Sequence, residues 1–459
     1  MILILSVLSV IYLALYFLGI PHNVDSSLFF TINSIIYLII TVWYTYKYKR
    51  ENIICFELLF SLSYWLACFF VVFVIDEIEF GITLTQMEGF SDVLLCRSCS
   101  LCMLGYLFYM LGLCLNRNKE TDFQFYTIRQ NPSVNTVLNL ITTFCIVMFF
   151  LLGGYNFINT YDQSVATMDL DGGRFGRFGS ALTYSTIFLN ISTVSNILSI
   201  KRQDSDTLGR FIGRINKLYM LNLLLMSVFL LMCGYRSGAM QIILPFVALL
   251  SYRKIISTKV SLLFLVAGVC MLALIGLLRN NTSTMGEVSE EMSLALLFRD
   301  FNSANAAVPS LIEYVDLHGP AYFSNAITQI LAVIPFVQSI FVGVFGSDML
   351  AISSSNLYTN EISRSYYSGM GTNIIGDLYY TGGLLCVLAL MFCLGWIIKR
   401  LSLSRNKYML VVFMTMVGNA VFMPRVEYFY IMRSCAFAAL LYWLVDFLLS
   451  SQNKTNHEY

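Results

Sequence analysis

About a dozen apolar segments of membrane-spanning length constrain the fold of this chain more than any other feature. Of its 459 residues, 58% are hydrophobic and only 12% are charged, and the mean hydropathy is +0.72. A helix needs roughly 20 apolar residues to cross a bilayer, and soluble domains carry about 25% charged residues. We therefore predict an all-α integral membrane protein with about 12 transmembrane helices. The predicted spans are residues 1–20, 28–46, 54–75, 92–115, 134–155, 178–200, 218–235, 237–252, 259–279, 374–397, 408–424 and 430–450.

Basic residues collect in every second loop between these spans and predict the topology. Cytoplasmic loops of membrane proteins are enriched in lysine and arginine, so these loops and both termini are predicted to be cytoplasmic. The first span lacks a basic leader and a small-residue cleavage site, and we interpret it as a retained helix. The basic clusters lie at 47–50, 117–129, 201–217, 253–259 and 399–407.

One predicted outer loop is far larger than the others. It lies between spans 9 and 10, covers residues 279–373 and is expected to hold short helices. Its apolar stretch 326–346 is interpreted as an interfacial or re-entrant helix; the alternative, a further span, would invert the topology downstream. Because the two halves of the chain do not match, one working face is favoured over alternating access. Residues 1–459 are treated as a single membrane domain.

Lysine and arginine are sorted between the two predicted sides. Of the 28 cationic residues, all ten lysines fall on the cytoplasmic side, and nine arginines remain for the outer side. Arginine differs from lysine in its planar guanidinium group, which can donate two parallel hydrogen bonds to a phosphate or carboxylate. The sorting suggests that the outer face handles an anion. The nine arginines are Arg97, Arg174, Arg177, Arg236, Arg279, Arg299, Arg364, Arg425 and Arg433.

Three of these arginines lie beside glycines at predicted span ends. Arg174 and Arg177 occupy the segment DLDGGRFGRFGS and share one face if it is helical. Arg236 lies in CGYRSGAM between two short spans, close to the membrane surface, where an arginine usually faces a cavity or a partner. The alternatives are a loop whose arginines pair with nearby aspartates, and an Arg236 that extends to the lipid headgroups.

The large loop and the start of the span that follows it contain the other candidate functional residues. Asp300 and His318 are candidate general bases, although a lone histidine is more often structural. Tyrosine, glycine and asparagine are dense near the end of the loop, a composition suited to carbohydrate contact. The candidate substrate-binding residues there are Arg299, Arg364, Asn373, Asp377 and Tyr379.

Two recognisable nucleotide and metal motifs are missing from the sequence. The chain contains no GxxxxGK[ST] and no HExxH motif. Its CxxCxxC run at 96–102 is more typical of helix packing than of metal binding. We therefore expect no cofactor, no metal and no nucleic-acid partner, and a ligand that is lipid-linked rather than a soluble nucleotide.

Three motifs resemble the O-antigen polymerase (Wzy) family of bacterial plasma membranes. They are RxxRFGS at 174–180, GYRSG at 234–238 and GxGTNIIGDLYYTGG at 369–383. The layout of about twelve spans with one dominant late loop is also similar to that family. The resemblance implies a GT-C membrane fold and a metal-independent inverting glycosyltransferase. Its donor and acceptor would be glycans on undecaprenyl diphosphate at the periplasmic face of the inner membrane, and a chain-length regulator would be a further partner.

The resemblance implies roles for individual residues. Arg236 would stabilise the charge that develops on the leaving diphosphate, with Arg174 and Arg177 in support. Tyr379 and Asn373 would orient sugars. Related O-antigen ligases have a histidine-asparagine pair where this chain has Thr372-Asn373, which favours a polymerase. The alternatives are a lipid-linked oligosaccharide flippase and an O-antigen ligase, and a non-enzymatic scaffold is a third.

Overall fold

The computed structural model is mostly helical and contains no strand among its described residues. It describes residues 1–18, 25–48, 52–70, 90–115, 126–128, 132–156, 174–203, 207–268, 299–331, 353–362 and 371–455, with isolated positions from 333 to 344.

Fifteen α-helices of six or more residues organise the described part of the chain. Short helical turns at Ser354–Asn356, Leu357–Ile362 and Met423–Arg425 connect some of them. The helices are α1 (Ile2–Leu18), α2 (Ser26–Tyr48), α3 (Phe56–Cys68), α4 (Asp92–Leu115), α5 (Pro132–Leu151), α6 (Arg174–Ser199), α7 (Leu208–Gly213), α8 (Lys217–Met232), α9 (Arg236–Tyr252), α10 (Thr258–Gly268), α11 (Arg299–His318), α12 (Ser324–Leu331), α13 (Ile374–Ser402), α14 (Lys407–Asn419) and α15 (Tyr430–Thr455).

Apolar helices of membrane-spanning length confirm the prediction of an all-α membrane protein. A helix occupies each predicted span, and among the described residues five are long and apolar enough to cross a bilayer: α2, α4, α5, α13 and the 430–449 part of α15. Helices α1, α3, α8 and α10 are apolar but shorter. The number of twelve spans and the GT-C arrangement stay predictions.

The two predicted sides of the sequence correspond to two ends of the helical bundle. At one end, the hydroxyl of Tyr126 bonds to the carbonyl of Arg405, and Lys407 pairs with Asp446 at 2.7 Å. Lys47 and Lys399 are both within electrostatic range of Cys114 at the end of α4. We call this the lysine end. Since Lys399 and Lys47 share it, the helices after the large loop are not inverted.

The opposite end carries arginines, and we call it the arginine end. Arg97 near the start of α4 meets Tyr16 near the end of α1 and Tyr379 near the start of α13. Helices α6 and α9 pack on each other, and both begin here, at Arg174 and Arg236. That this end faces the periplasm stays a prediction from the charge rule.

Glycines let the central helices α4 and α13 approach closely. A Cβ atom added at Gly395 would lie 2.1 Å from the carbonyl oxygen of Tyr109, and one added at Gly112 would lie 2.2 Å from that of Phe392. Small residues at such contacts are typical of membrane helix packing. The α4–α13 pair therefore forms a tight axis that carries Arg97 and Tyr379 to the same end.

The large loop docks on a kink in α13. The backbone leaves helical geometry at Gly382 and Gly383, the latter with φ of 69°. The kink leaves the carbonyls of Tyr380 and Thr381 available, and the amides of Ala321 and Phe323 bond to them at 2.7 and 3.0 Å. These bonds fix α11 and α12 against the start of α13. The described residues of the loop are thus part of the bundle at the arginine end.

Candidate functional site

The first polar group at the arginine end surrounds Arg97. Its guanidinium bonds to both carboxylate oxygens of Asp316, with Nη2 to Oδ1 at 3.1 Å. The same nitrogen donates to the hydroxyls of Tyr16 at 3.0 Å and Tyr379 at 2.9 Å. We call these four residues the Arg97 cluster. It ties loop helix α11, through Asp316, to α1, α4 and α13.

This cluster contains one predicted substrate-binding residue. The hydroxyl of Tyr379 also contacts that of Tyr16 at 3.0 Å, and it lies 3.4 Å from Asp316 Oδ1. Its polar atom is therefore engaged within the protein, at a partly exposed place where the Arg97 and Asp316 side chains are 30% and 41% exposed. The predicted role of Tyr379 in orienting sugars stays a prediction.

The second polar group centres on two carboxylates, Asp377 in the first turn of α13 and Glu427 just before α15. Asp377 accepts hydrogen bonds from Ser354 Oγ at 2.6 Å, from Asn325 Nδ2 at 3.3 Å and from the amide of Tyr428 at 2.9 Å. It is buried, and all three donors are neutral. Among the described residues, no cation forms an ion pair with it.

Glu427 has a similar surrounding of neutral donors. It accepts from the side-chain amide of Gln329, from the backbone amide of Ser355 at 3.3 Å and from the side chain of Ser353. Burial, and then the negative charge of Asp377, raise the pKa of Glu427 to about 7, and the three hydrogen bonds offset this only in part. Asp377, Glu427 and these donors form what we call the carboxylate cluster.

Asn373 lies deeper than a sugar-contacting residue is expected to lie. It is fully buried and forms the N-cap of α13, where its side-chain oxygen accepts from the amide of Ile375 at 2.9 Å. Its nitrogen donates to the carbonyl of Ala67 at 3.2 Å. The amide of Asp377, four residues later, bonds to the carbonyl of Asn373 at 2.8 Å. The structure thus gives Asn373 a helix-capping contact.

Several predicted arginines begin helices. Arg236 is the first residue of α9 and is partly exposed, and the turn from Cys233 to Tyr235 separates α9 from α8 as predicted. Gly234 has φ of 75°, which favours glycine at this turn. Arg174 begins α6 and Arg299 begins α11. A helix N-terminus carries partial positive charge and exposed amides, so it favours an anionic ligand.

The other predicted residues are placed less closely together. His318 is exposed at the end of α11, where it stacks on Tyr314 at 4.4 Å and Nδ1 lies 3.1 Å from the carbonyl of Tyr314. Its role as a general base stays a prediction. Arg177 and Asp300 lie in the first turns of α6 and α11, but their side chains, with those of Arg174 and Arg299, are outside the described part of the chain. So is the whole of Arg364.

Sequence reasoning did not select Glu427 as a candidate for chemistry. It is the only acidic residue between α14 and α15, in the segment FMPRVEYFY. That isolation was the available signal, but its approach to Asp377, about fifty positions earlier in the chain, depends on tertiary contacts. Arg97 was noticed in the sequence as one of nine arginines, and only the fold brings it together with Asp316.

The described residues contain no side-chain cluster suited to metal coordination. They contain no group of three or more histidine, cysteine or acidic side chains arranged to hold a metal ion. Cys96, Cys99 and Cys102 are buried in α4 as free thiols.

Comparison with protein-family models, with curated proteins and with solved structures finds no match to this chain. A function must therefore be argued from the chemistry of the arginine end itself.

Proposed function

We propose that this protein is an O-antigen-type polymerase that joins oligosaccharide repeat units carried on undecaprenyl diphosphate. The reaction would be an inverting, metal-independent glycosyl transfer at the periplasmic face of the bacterial inner membrane. The growing glycan would be the donor and a single lipid-linked repeat unit the acceptor. A chain-length regulator is the partner we would look for first.

The position of Arg236 carries the proposal. It begins α9 at the arginine end, and the neighbouring helix α6 begins at the same end with Arg174 and has Arg177 in its first turn. Two helix N-termini with arginines in their first turns are suited to a doubly charged, membrane-anchored diphosphate. Such a ligand is held at the bilayer surface by its own lipid.

The chemistry follows from where charge develops. As the bond from the anomeric carbon to the diphosphate oxygen breaks, its electron pair remains on the leaving diphosphate. Donors fixed in advance around that oxygen stabilise the transition state, and the loss of one typically lowers the rate by about 10²–10³. Arg236 is the residue that we propose for this role, and Arg174, Arg177, Arg299 and Arg364 are the supporting candidates. A good leaving group lessens the need for a strong base.

A reconstituted assay tests the proposal directly. The purified full-length chain in proteoliposomes would be given lipid-linked repeat units, and we expect a ladder of longer lipid-linked glycans and release of undecaprenyl diphosphate. The matched control is the Arg236→Ala protein at equal amount. Wild-type protein that leaves only the single repeat unit would contradict the proposal.

Deletion of the gene separates the rival functions in cells. Loss of the lipopolysaccharide ladder with one repeat unit retained is expected for a polymerase. Loss of every surface repeat unit would instead indicate an O-antigen ligase or a lipid-linked oligosaccharide flippase.

A further inference from the structure

We propose that the carboxylate cluster is the acceptor subsite, and that Glu427 removes the proton from the sugar hydroxyl that attacks the donor. This assignment rests on the proposed glycosyl transfer. It replaces Asp300 and His318 as the general base and gives Asp377 a positioning role.

Unpaired amide oxygens beside both carboxylates indicate a ligand with hydroxyl groups. Asn325, only 1% exposed, donates from Nδ2 to Asp377 and to Thr381 Oγ1 at 2.8 Å, yet its buried Oδ1 has no hydrogen-bond partner. Gln329 donates to Glu427 in the same way, and its buried Oε1 also has no partner. A buried acceptor without a donor is costly. Sugar hydroxyls supply the donors that these two oxygens lack.

The contacts of the two carboxylates distinguish their roles. Asp377 is 1% exposed and is held by three donors from three different segments, so its carboxyl group is fixed in position. Glu427 is partly exposed and lies on the short connection that leads into α15, so a ligand can approach it. The negative charge of Asp377 makes Glu427 a stronger base at neutral pH, because it disfavours a second charge nearby.

The remaining charged and titratable groups around Glu427 do not cancel this effect. Tyr430, which begins α15, is within electrostatic range of Glu427, and also of Tyr235 before α9 and Arg433 in α15. On the other side, Glu361 and Asp377 both act on Tyr380. Arg425 lies two residues before Glu427 in the same connection. Asp377 is the charged group with the largest effect on Glu427.

The proton and electron balance of the step is simple. The acceptor hydroxyl oxygen forms a bond to the anomeric carbon of the donor as its proton passes to a carboxylate oxygen of Glu427. The bond between that carbon and the diphosphate breaks, and the electron pair leaves on the diphosphate. Glu427 then releases its proton to water. Arg236 and Glu427 thus serve opposite partners of one displacement, the leaving group and the nucleophile.

The test compares Glu427→Gln with wild type in the reconstituted polymerisation assay across pH. Glutamine keeps the shape but cannot take the proton, so we expect turnover to fall by about 10²–10⁴-fold. In wild type, turnover should rise as pH rises through about 7, since Glu427 must be deprotonated to act. Asp377→Asn should move this rise to lower pH. Glu361→Gln, an exposed acid on the neighbouring segment, is the control and should leave the profile unchanged.

A measurement without substrate separates this inference from the proposed function. Infrared titration of the purified protein should show a carboxyl group that deprotonates near pH 7 in wild type and is missing in Glu427→Gln. If wild type makes no polymer, the proposed function fails, and the base assignment fails with it. If wild type polymerises and Glu427→Gln stays within threefold of it, only the base assignment fails. Loss of activity in EDTA that Mg²⁺ restores would contradict the metal-independent transfer of the proposed function.

Discussion

Helix α9 carries an arginine at each end, and the two have opposite surroundings. Arg253, its C-cap at the lysine end, is fully buried and donates to the carbonyls of Ile197 and Ile200 at 2.5 and 2.8 Å. Its guanidinium also lies 5.4 Å from the ring centre of Phe211. Arg236, the first residue at the arginine end, is partly exposed and lies at the positive end of the helix dipole.

The difference separates a buried cation at a helix C-terminus from a partly exposed cation at a helix N-terminus. A buried arginine that satisfies the last carbonyls of α6 stabilises the bundle, and it gains from the negative end of that helix. An arginine at a helix N-terminus is not stabilised by the dipole of its own helix, which favours anions at that end. We therefore infer that Arg253 stabilises the bundle, whereas Arg236 is the arginine of this helix that an anionic ligand can approach.

The largest expected effect is on turnover at Arg236. Arg236→Ala should lower polymerisation by about 10²–10³-fold, because one preorganised donor to the leaving group is lost. Arg236→Lys keeps the positive charge but not the bidentate guanidinium group, so it should recover only part of the lost turnover. Both variants should melt close to wild type. The measurements are initial rates with lipid-linked repeat units and the melting temperature in detergent.

The control for Arg236 is Arg214→Ala, which removes an exposed cation at the other end and should leave turnover unchanged. Nearly full activity of Arg236→Lys would rule out a bidentate hydrogen-bonding contact between Arg236 and the diphosphate. Nearly full activity of Arg236→Ala would remove Arg236 from the chemistry altogether.

The next effect is on stability at Arg253. Arg253→Ala should lower the free energy of unfolding by about 3 kcal/mol, since two carbonyls at the end of α6 lose a charged donor in a buried place. Turnover per folded molecule should not change. Thermal unfolding in detergent and the rate of the folded fraction measure the two quantities.

Arg214 again provides the matched comparison. It also donates to a backbone carbonyl, that of Lys201 at 3.1 Å, and its guanidinium also lies near the Phe211 ring, at 5.6 Å, but it is exposed. Arg214→Ala should therefore change the melting temperature far less than Arg253→Ala. Equal losses would mean that burial does not distinguish the two arginines.

Sequence patterns predicted the helices better than they predicted the site. Apolar length and alternating basic loops located a helix in each predicted span and the turn before Arg236, because both signals are local. Whether a given arginine stabilises the fold or binds a ligand depends on tertiary contacts, which a local sequence pattern does not reveal. Arg253 lay in a basic loop like its neighbours, and only packing against the end of α6 makes it a buried cap.

The carboxylate cluster shows the same limit. Its parts come from α12, the 353–355 segment, the start of α13 and the connection before α15, and they meet because the kink at Gly382 and Gly383 docks the large loop. Glycine pairs in a span were visible in the sequence. The loop amides that would bond to the exposed carbonyls were not, since such pairing depends on tertiary contacts.

The smallest expected effect concerns Arg97, which lies at the arginine end but has a protein carboxylate as its partner. If it mainly holds the loop helix α11 through Asp316, Arg97→Ala and Asp316→Ala should each cost about 1 kcal/mol, because the pair is partly exposed. The double variant should cost little more than either, as expected for residues in direct contact. Turnover should fall by less than about tenfold in all three, in line with the modest value of the pair.

A double-mutant cycle of melting free energies, run together with the polymerisation assay, measures both properties of Arg97. A fall of a hundredfold or more in Arg97→Ala with normal turnover in Asp316→Ala would place Arg97 with Arg236 among the ligand-binding arginines. In that case Asp316 pairs with the guanidinium only until the anionic substrate displaces it. The division between fold-stabilising and ligand-binding arginines would then fall within the Arg97 cluster and not between the two ends of α9.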